Sequence, residues 1–277
     1  MAGHRIDLWI NNERVKGDHY TEIFDPGCLT KKGGDVAQGN MKHVNEAVVA
    51  AYNAFQDWQN MDYKDRAQCL LKAADLLINE AGTLAPITTQ ESGMLLADIQ
   101  AELRACAQEI RTTVTNAQKL YEPFEMEDES TWIKLDKKPL GVVVALVPWN
   151  VPYTITMLKL SSALITGNTI VVKPSPFSCI GLSLALQKIS KFFPPGVINV
   201  LHGDADLGAG LVTHPLVKKI SLTGGIKTAK SIMKLAAESL KRVHFELGGN
   251  DPAILLDDAN LDEAIPKILA SAFKRSG

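Results

Sequence analysis

The chain has 277 residues, 46% of them hydrophobic, which is enough for the core of one large or two ordinary domains and excludes a disordered chain. Its 29 basic and 31 acidic side chains leave a net charge of −2, so no broad electropositive surface exists to gain counterion-release free energy, and a nucleic-acid partner is excluded. No run of about 18 apolar residues occurs, and the opening Met-Ala-Gly-His-Arg-Ile-Asp lacks the basic-then-apolar order of a secretory signal, so a soluble cytoplasmic protein without a membrane partner is expected.

Residues 6–16 read as two short strands joined at Asn11-Asn12, a pair that tolerates positive φ. From Val44 the apolar positions Ala47, Val48, Ala51, Tyr52, Phe55 and Trp58 recur at helical spacing. Leu70, Leu71, Ala74, Leu77 and Ile78 repeat the pattern after Asp62. A third helix runs from about Leu95 through Ile99, Leu103, Ala107, Ile110 and Val114 to Ala117. The first 120 residues are therefore expected to be mostly helical, a packing scaffold without chemistry of their own. The acidic segment 121–130, with Pro123, leads into Trp132 to Lys137, whose alternation predicts a half-exposed strand that pairs outside its own core.

After Gly141 the texture changes. Val142 to Val147, Thr169 to Val172, Val197 to Leu201, Ile220 to Leu222 and Val243 to Phe245 are short apolar runs separated by helical patterns. That alternation predicts a parallel sheet covered by helices on both faces, and such sheets bind ligands beyond the carboxyl ends of their strands. Cys28, Cys69, Cys106 and Cys179 are scattered without a C-x-x-C pair, so neither a disulfide framework nor a metal site is expected.

The predicted strand ends carry the chemistry. The first runs into Pro148-Trp149-Asn150-Val151-Pro152, where a rigid turn holds Asn150 either as a turn residue or as an amide donor to a developing oxyanion. The second ends in Lys173-Pro174-Ser175-Pro176; its lysine is either a solvated terminus or a partner for a ribose hydroxyl or phosphate. His202-Gly203-Asp204 follows the third. Thr223-Gly224-Gly225-Ile226-Lys227-Thr228 follows the fourth, with small residues and helix amides suited to a pyrophosphate, although it matches neither G-x-G-x-x-G nor a P-loop. The fifth ends in Glu246-Leu247-Gly248-Gly249, and a glutamate at that edge is either structural or a general base.

Taken together, Pro148-Trp149-Asn150, Lys173-Pro174-Ser175, Leu222-Thr223-Gly224-Gly225 and Glu246-Leu247-Gly248-Gly249 resemble the aldehyde dehydrogenase superfamily, and the likeness spans essentially the whole chain, including Thr89-Gln90-Glu91-Ser92-Gly93. The resemblance implies an α/β fold: a Rossmann-like parallel sheet with helices on both faces, preceded by a helical N-terminal region and carrying a protruding oligomerisation arm. It divides the chain into a helical part (1–118), the arm (119–140), the cofactor-binding core (141–248) and the start of a catalytic domain (249–277).

In that family a cysteine thiolate attacks an aldehyde, an asparagine holds the oxyanion, hydride passes to NAD or NADP, and water hydrolyses the thioester. By position Asn150 resembles the oxyanion donor, Glu246 the general base, and Lys159 the lysine in the proton path behind that base. Cofactor contact is implied for Pro148, Trp149, Lys173, Ser175, Pro176, Gly203, Thr223, Gly224, Gly225 and Leu247. Asn150, Lys173, Gly225 and Glu246 are accordingly expected around one crevice. The implied partners are a small-molecule aldehyde and further subunits, in a homo-oligomer or a mixed oligomer.

Some positions depart from the family pattern. Its nucleophile lies in a Gly-Gln-x-Cys motif after a Phe-containing helix; here that helix corresponds to Ile265 to Phe273, and Gly277 aligns with the motif glycine. On this reading the reactive cysteine lies beyond residue 277, the catalytic domain is largely absent, and the chain is inactive alone. It is otherwise a non-catalytic partner of a full-length relative, or an incomplete gene product. Pro176 stands where many relatives carry a glutamate that binds the ribose diol, Gly225 replaces a serine and Ala229 a glycine. Lys274-Arg275-Ser276 places charges where relatives are apolar.

Overall fold

The computed structural model describes residues 3–122 and 124–274; Pro123 and the expectations attached to Arg275, Ser276 and Gly277 lie outside them. The chain opens with β1 (His4–Ile6), β2 (Leu8–Ile10) and β3 (Glu13–Val15). β2 and β3 form the expected hairpin, with Asn11 and Asn12 at φ of 55° and 63°. Then come β4 (His19–Asp25) and β5 (Cys28–Gln38). β5 pairs parallel with β1 and antiparallel with β4 in a separate three-stranded sheet. This sheet was not expected, although helices still make up most of the first 120 residues. β4 is exposed or half-exposed throughout, β5 is exposed over its first four residues, and the buried part of β5 begins with the pair Gly33-Gly34, so no apolar alternation announces them. Gly34 is needed where it stands: a Cβ there would collide with the His4 carbonyl across the β1–β5 ladder.

Four helices follow: α1 (Met41–Trp58), α2 (Tyr63–Asn79), α3 (Ala81–Ser92) and α4 (Leu96–Ala117). Asn40 starts α1 with a reciprocal cap, its side chain accepting from the His43 amide while its own amide donates to His43 Nδ1. Asp62 caps α2 at the Lys64 amide, 2.8 Å away. α3 ends at Gly93, whose φ of 75° suits glycine. Between α2 and the later helices, buried Arg66 donates to the carbonyls of Met61 and Ile165 and, at 2.8 Å, to the Tyr121 hydroxyl.

Next comes an exposed antiparallel hairpin, β6 (Phe124–Glu127) and β7 (Trp132–Leu135). The strand around Trp132 thus pairs with the acidic segment before it. The remaining elements alternate: β8 (Val142–Leu146), α5 (Pro152–Ile165), β9 (Thr169–Lys173), α6 (Ile180–Ile189), β10 (Ile198–Val200), α7 (Ala205–Thr213), β11 (Val217–Gly224), α8 (Ile226–Ala237), β12 (Arg242–Leu247) and α9 (Leu261–Ala272). The sheet order is β12-β11-β8-β9-β10-β2-β3; the five expected strands are parallel, and the entry hairpin adds two antiparallel strands at one edge.

Strand alternation sorts the core onto two faces. Val143, Ala145 and Val147 face a cluster built with α2 to α6, whereas Val142, Val144 and Leu146 face one built with α1, α7 and α8. All five residues of β8 are buried, as expected for the central strand of a parallel sheet covered on both sides.

Candidate functional site

The register sets the strand ends level: Leu146 pairs with Lys173 on one side and Leu222 on the other, and Thr223 pairs with Glu246. From β8 the chain winds outward through β9 and β10, then returns to place β11 and β12 on the opposite side. The loops diverge between β8 and β11, the switch point at which such sheets bind ligands. A cavity of about 940 Å³ opens there, at the upper end of the roughly 300–1,000 Å³ of small-molecule sites.

Most of the expected contact residues line it. Pro148 and Trp149 enter from the end of β8, Lys173, Ser175 and Pro176 from β9, Gly203 from β10, and Thr223, Gly224 and Gly225 from β11. Burial lowers the Lys173 ammonium pKa, opposed by nearby Asp204. Lys227, Thr228, Lys230 and Lys234 of α8 also line the cavity; they were missed as ligand contacts, although their spacing puts them near one helix face.

The helix N-termini around this edge differ in how their amides are satisfied. The Tyr153 and Thr154 amides of α5 both donate to Glu102 Oε1 at 2.9 Å. The amides opening α6 donate to Glu91, and Asp204 caps α7. At α8 the N-cap is Gly225, which has no side chain to offer. Its positive end therefore meets the cavity without a capping carboxylate. A Cβ on Gly225 would find no atom within 4 Å, and Thr223 Oγ1 is buried without a hydrogen-bond partner among the described residues. Open space, an unused hydroxyl, free amides and lysines fit a phosphate-bearing ligand.

Asn150, Glu246, Lys159 and Leu247 do not line this cavity. Lys173 and Gly225 share the cavity, whereas Asn150 and Glu246 are not in its lining but adjoin it, Asn150 next to Trp149 in the chain and Glu246 paired with Thr223. Alternation along the strands explains Glu246. Val243 and Phe245 pack toward α1, α7 and α8, so His244 and Glu246 take the opposite face, the side of α5. There Lys159 of α5 donates from Nζ to Ser221 Oγ at 2.9 Å. Burial brings the Lys159 pKa down to about 8, with Glu246 pulling it back up. Glu246 is 59% exposed, and its Oε1 lies 3.6 Å from His244 Nε2. Asn150 follows β8 in the turn before α5, and Leu247 is exposed at the end of β12.

No cysteine among the described residues lines the cavity. Cys28 is exposed on β5 and Cys69 is half-buried on α2. Burial pushes Cys106 up to about 12 and holds Cys179 well above its ordinary value, so neither supplies a thiolate near neutrality. Among the described residues, no group of three His, Cys, Asp or Glu is placed to hold a metal ion, and no helix is long and apolar enough to cross a membrane.

A family model described as "Aldehyde dehydrogenase family" matches residues 10–277. A putative aldehyde dehydrogenase, FUS7, of Gibberella fujikuroi is 38% identical over 243 residues, covering 87% of this chain and 51% of the relative. The mitochondrial succinate-semialdehyde dehydrogenase of Homo sapiens is 35% identical over 281 residues, covering 99% and 52%. The chain thus spans about half the length of the curated relatives it matches. Among solved structures, the NADP-dependent glyceraldehyde-3-phosphate dehydrogenase of Bacillus halodurans, complexed with NADP, superposes with a TM-score of 0.92 at 28% identity, covering 98% of this chain and 58% of that one. A mutant aldehyde dehydrogenase C of Pseudomonas syringae, with NAD+ and octanal, gives 0.90 at 29% identity, covering 98% and 56%. The strand-end motifs, the sheet that levels them and the family match over nearly the whole sequence agree: the chain belongs to the aldehyde dehydrogenase family.

Proposed function

We propose that this chain forms the nucleotide-binding part of an NAD(P)-dependent aldehyde dehydrogenase, with residues 141–248 as its core, 119–140 as an oligomerisation arm and 249–277 leading into the catalytic part. The observation that carries this reading is the cavity at the β8/β11 switch point, which joins the open end of α8 to Lys173, Lys227 and Lys230. NAD(P)+, when bound, accepts a hydride from the substrate carbon. In this reading the α8 amides and Lys173 bind its phosphates and ribose, with Ser175, Pro176 and Gly203 shaping the wall. On the α5 side the Asn150 amide, held between Pro148 and Pro152, donates to an oxyanion developing on an aldehyde. Glu246 accepts a proton, and Lys159 relays it to solvent.

None of the four cysteines is placed for the nucleophile's part, so the chain alone is expected to bind nucleotide without turnover. Calorimetric titration with NADP+ and NAD+ should show binding of both, weakened roughly tenfold or more (~1.4 kcal/mol) by Lys173→Ala. NADP+ should bind tighter, because four lysines and no carboxylate at Pro176 favour an extra phosphate, and added salt should narrow the gap. Absence of binding at millimolar nucleotide refutes the reading; sustained NADPH production from aldehydes by the purified chain refutes the no-turnover claim.

A second reading, a partner in a mixed oligomer, is favoured by the β6–β7 hairpin, which exposes Phe124, Met126 and Leu135 and leaves Trp132 62% exposed. Copurification with a full-length relative, lost on Trp132→Glu, supports it. A chain that stays monomeric beside that relative counts against it.

A further inference from the structure

Glu91 lies on α3, only 4% exposed, and reaches from the helical layer into the start of α6. Its Oε2 accepts from the amides of Cys179 at 2.8 Å and Ile180 at 2.6 Å, and its Oε1 from the amide of Gly181 at 2.9 Å. These donors lack partners within α6. Immediately before them runs Lys173-Pro174-Ser175-Pro176-Phe177, one wall of the nucleotide cavity. The junction is tight. A Cβ on Gly181 would collide with Thr88 Oγ1 and Tyr153 Oη, and those two hydroxyls are hydrogen-bonded at 2.7 Å. One polar cluster thus ties α3, α5 and α6 together behind the wall.

We propose that Glu91 is a positioning residue for the nucleotide cavity: its carboxylate, accepting from three amides, holds the first turn of α6, and with it the 173–177 wall, in binding geometry. This rests on the nucleotide-binding reading given above. A carboxylate has acceptor capacity for all three amides, whereas a protonated carboxyl turns one oxygen into a donor that faces other donors.

Burial pushes the Glu91 carboxyl up to about 7, against the pull of the three N–H bonds. Two titratable neighbours stay neutral in that range. Burial raises the Tyr153 phenol on α5 and the Cys179 thiol before α6 well above their ordinary values, and the Glu91 charge adds to both shifts. Glu102 on α4 adds to the Tyr153 shift, whereas Lys173 on β9 works against that of Cys179.

Because the folded carboxyl titrates above its ordinary 4.5, its contribution to stability is fully present below that value and is lost as pH rises through about 7. Acid therefore favours the fold, so affinities are compared at one pH, 8, where the carboxylate is ionised.

The test is a fluorescence titration of the full chain with NADH at pH 8. Glu91→Gln, which replaces one acceptor oxygen by a donor facing other donors, should bind about tenfold weaker than wild type. A variant that keeps wild-type affinity overturns the proposal. Amide exchange of the variant and the wild type at the same pH separates a displaced wall from a failed fold: protection should fall at Cys179, Ile180 and Gly181 and hold in α8, and unchanged protection at the three amides, or a fall throughout the chain, overturns it. Failure to bind NADH at any pH overturns the nucleotide reading itself, and the exchange result then judges the Glu91 cap separately.

Discussion

Lys159 shows how far a side chain's chemistry depends on what surrounds it. In the sequence it is one lysine on a predominantly apolar helix; in the fold its ammonium is removed from water and donates to Ser221. With the pKa brought from 10.5 to about 8, the penalty for the buried charge is full below pH 8 and fades as pH climbs toward 10.5. We therefore expect Lys159→Met to melt higher than wild type at pH 7, with the difference closing between pH 8 and 10.5 in thermal scans. Glu246→Gln removes the charge that pulls Lys159 upward, and NMR titration of the lysine should show its pKa falling further. Motif reading placed this lysine near the base without showing why it titrates where it does. Nor did it show Glu91 as a cap, because three amides converge on that carboxylate only when α3 packs on α6.

At the scale of elements, legibility followed burial. β8 and β9 were readable because both faces are covered, which leaves an unbroken apolar run in the sequence. α1, α2 and α4 were readable because each buries one stripe. β4 and the start of β5 were not, since exposure leaves their charges in place and the buried Gly33-Gly34 pair carries no apolar signal; their order comes from pairing. Gly34→Ala tests that pairing. The new methyl would force β1 away from β5 and press on Ile180 Cδ1 at 3.1 Å, so we expect a loss of about 1–3 kcal/mol in urea denaturation. Gly82→Ala, where a Cβ meets nothing within 4 Å, should cost nothing and serves as the control.

For the whole molecule, the telling feature is apolar surface left in water. Among the described residues α9 buries none of its side chains, and Leu261, Ile265, Leu269 and Phe273 form an exposed stripe near exposed Ile254, Leu255 and Leu256. Patches of this kind drive association. We expect the purified chain to self-associate as concentration rises, and Leu261→Glu with Leu269→Glu to reduce this in sedimentation velocity without changing NADH affinity. Equal association in the double variant would show that another surface, such as the β6–β7 hairpin, is responsible.

Composition and local pattern alone determined the chemical vocabulary: five apolar strand runs, helices between them, and motif residues at the strand ends. Those properties follow from burial periodicity and turn chemistry, which act over a few neighbouring residues. Only the tertiary structure decided where the motifs meet, with Lys173 and Gly225 in the cavity and Glu246 beside cavity-lining Thr223 and near enough to Lys159 to raise its pKa. It also decided which helix end stays open, since Glu102, Glu91 and Asp204 occupy the others. The reason is physical: strand register and the reach of a buried carboxylate depend on which elements pack together, and residues 88 to 90 positions apart in sequence, such as Glu91 and the amides of α6, meet only in the folded chain.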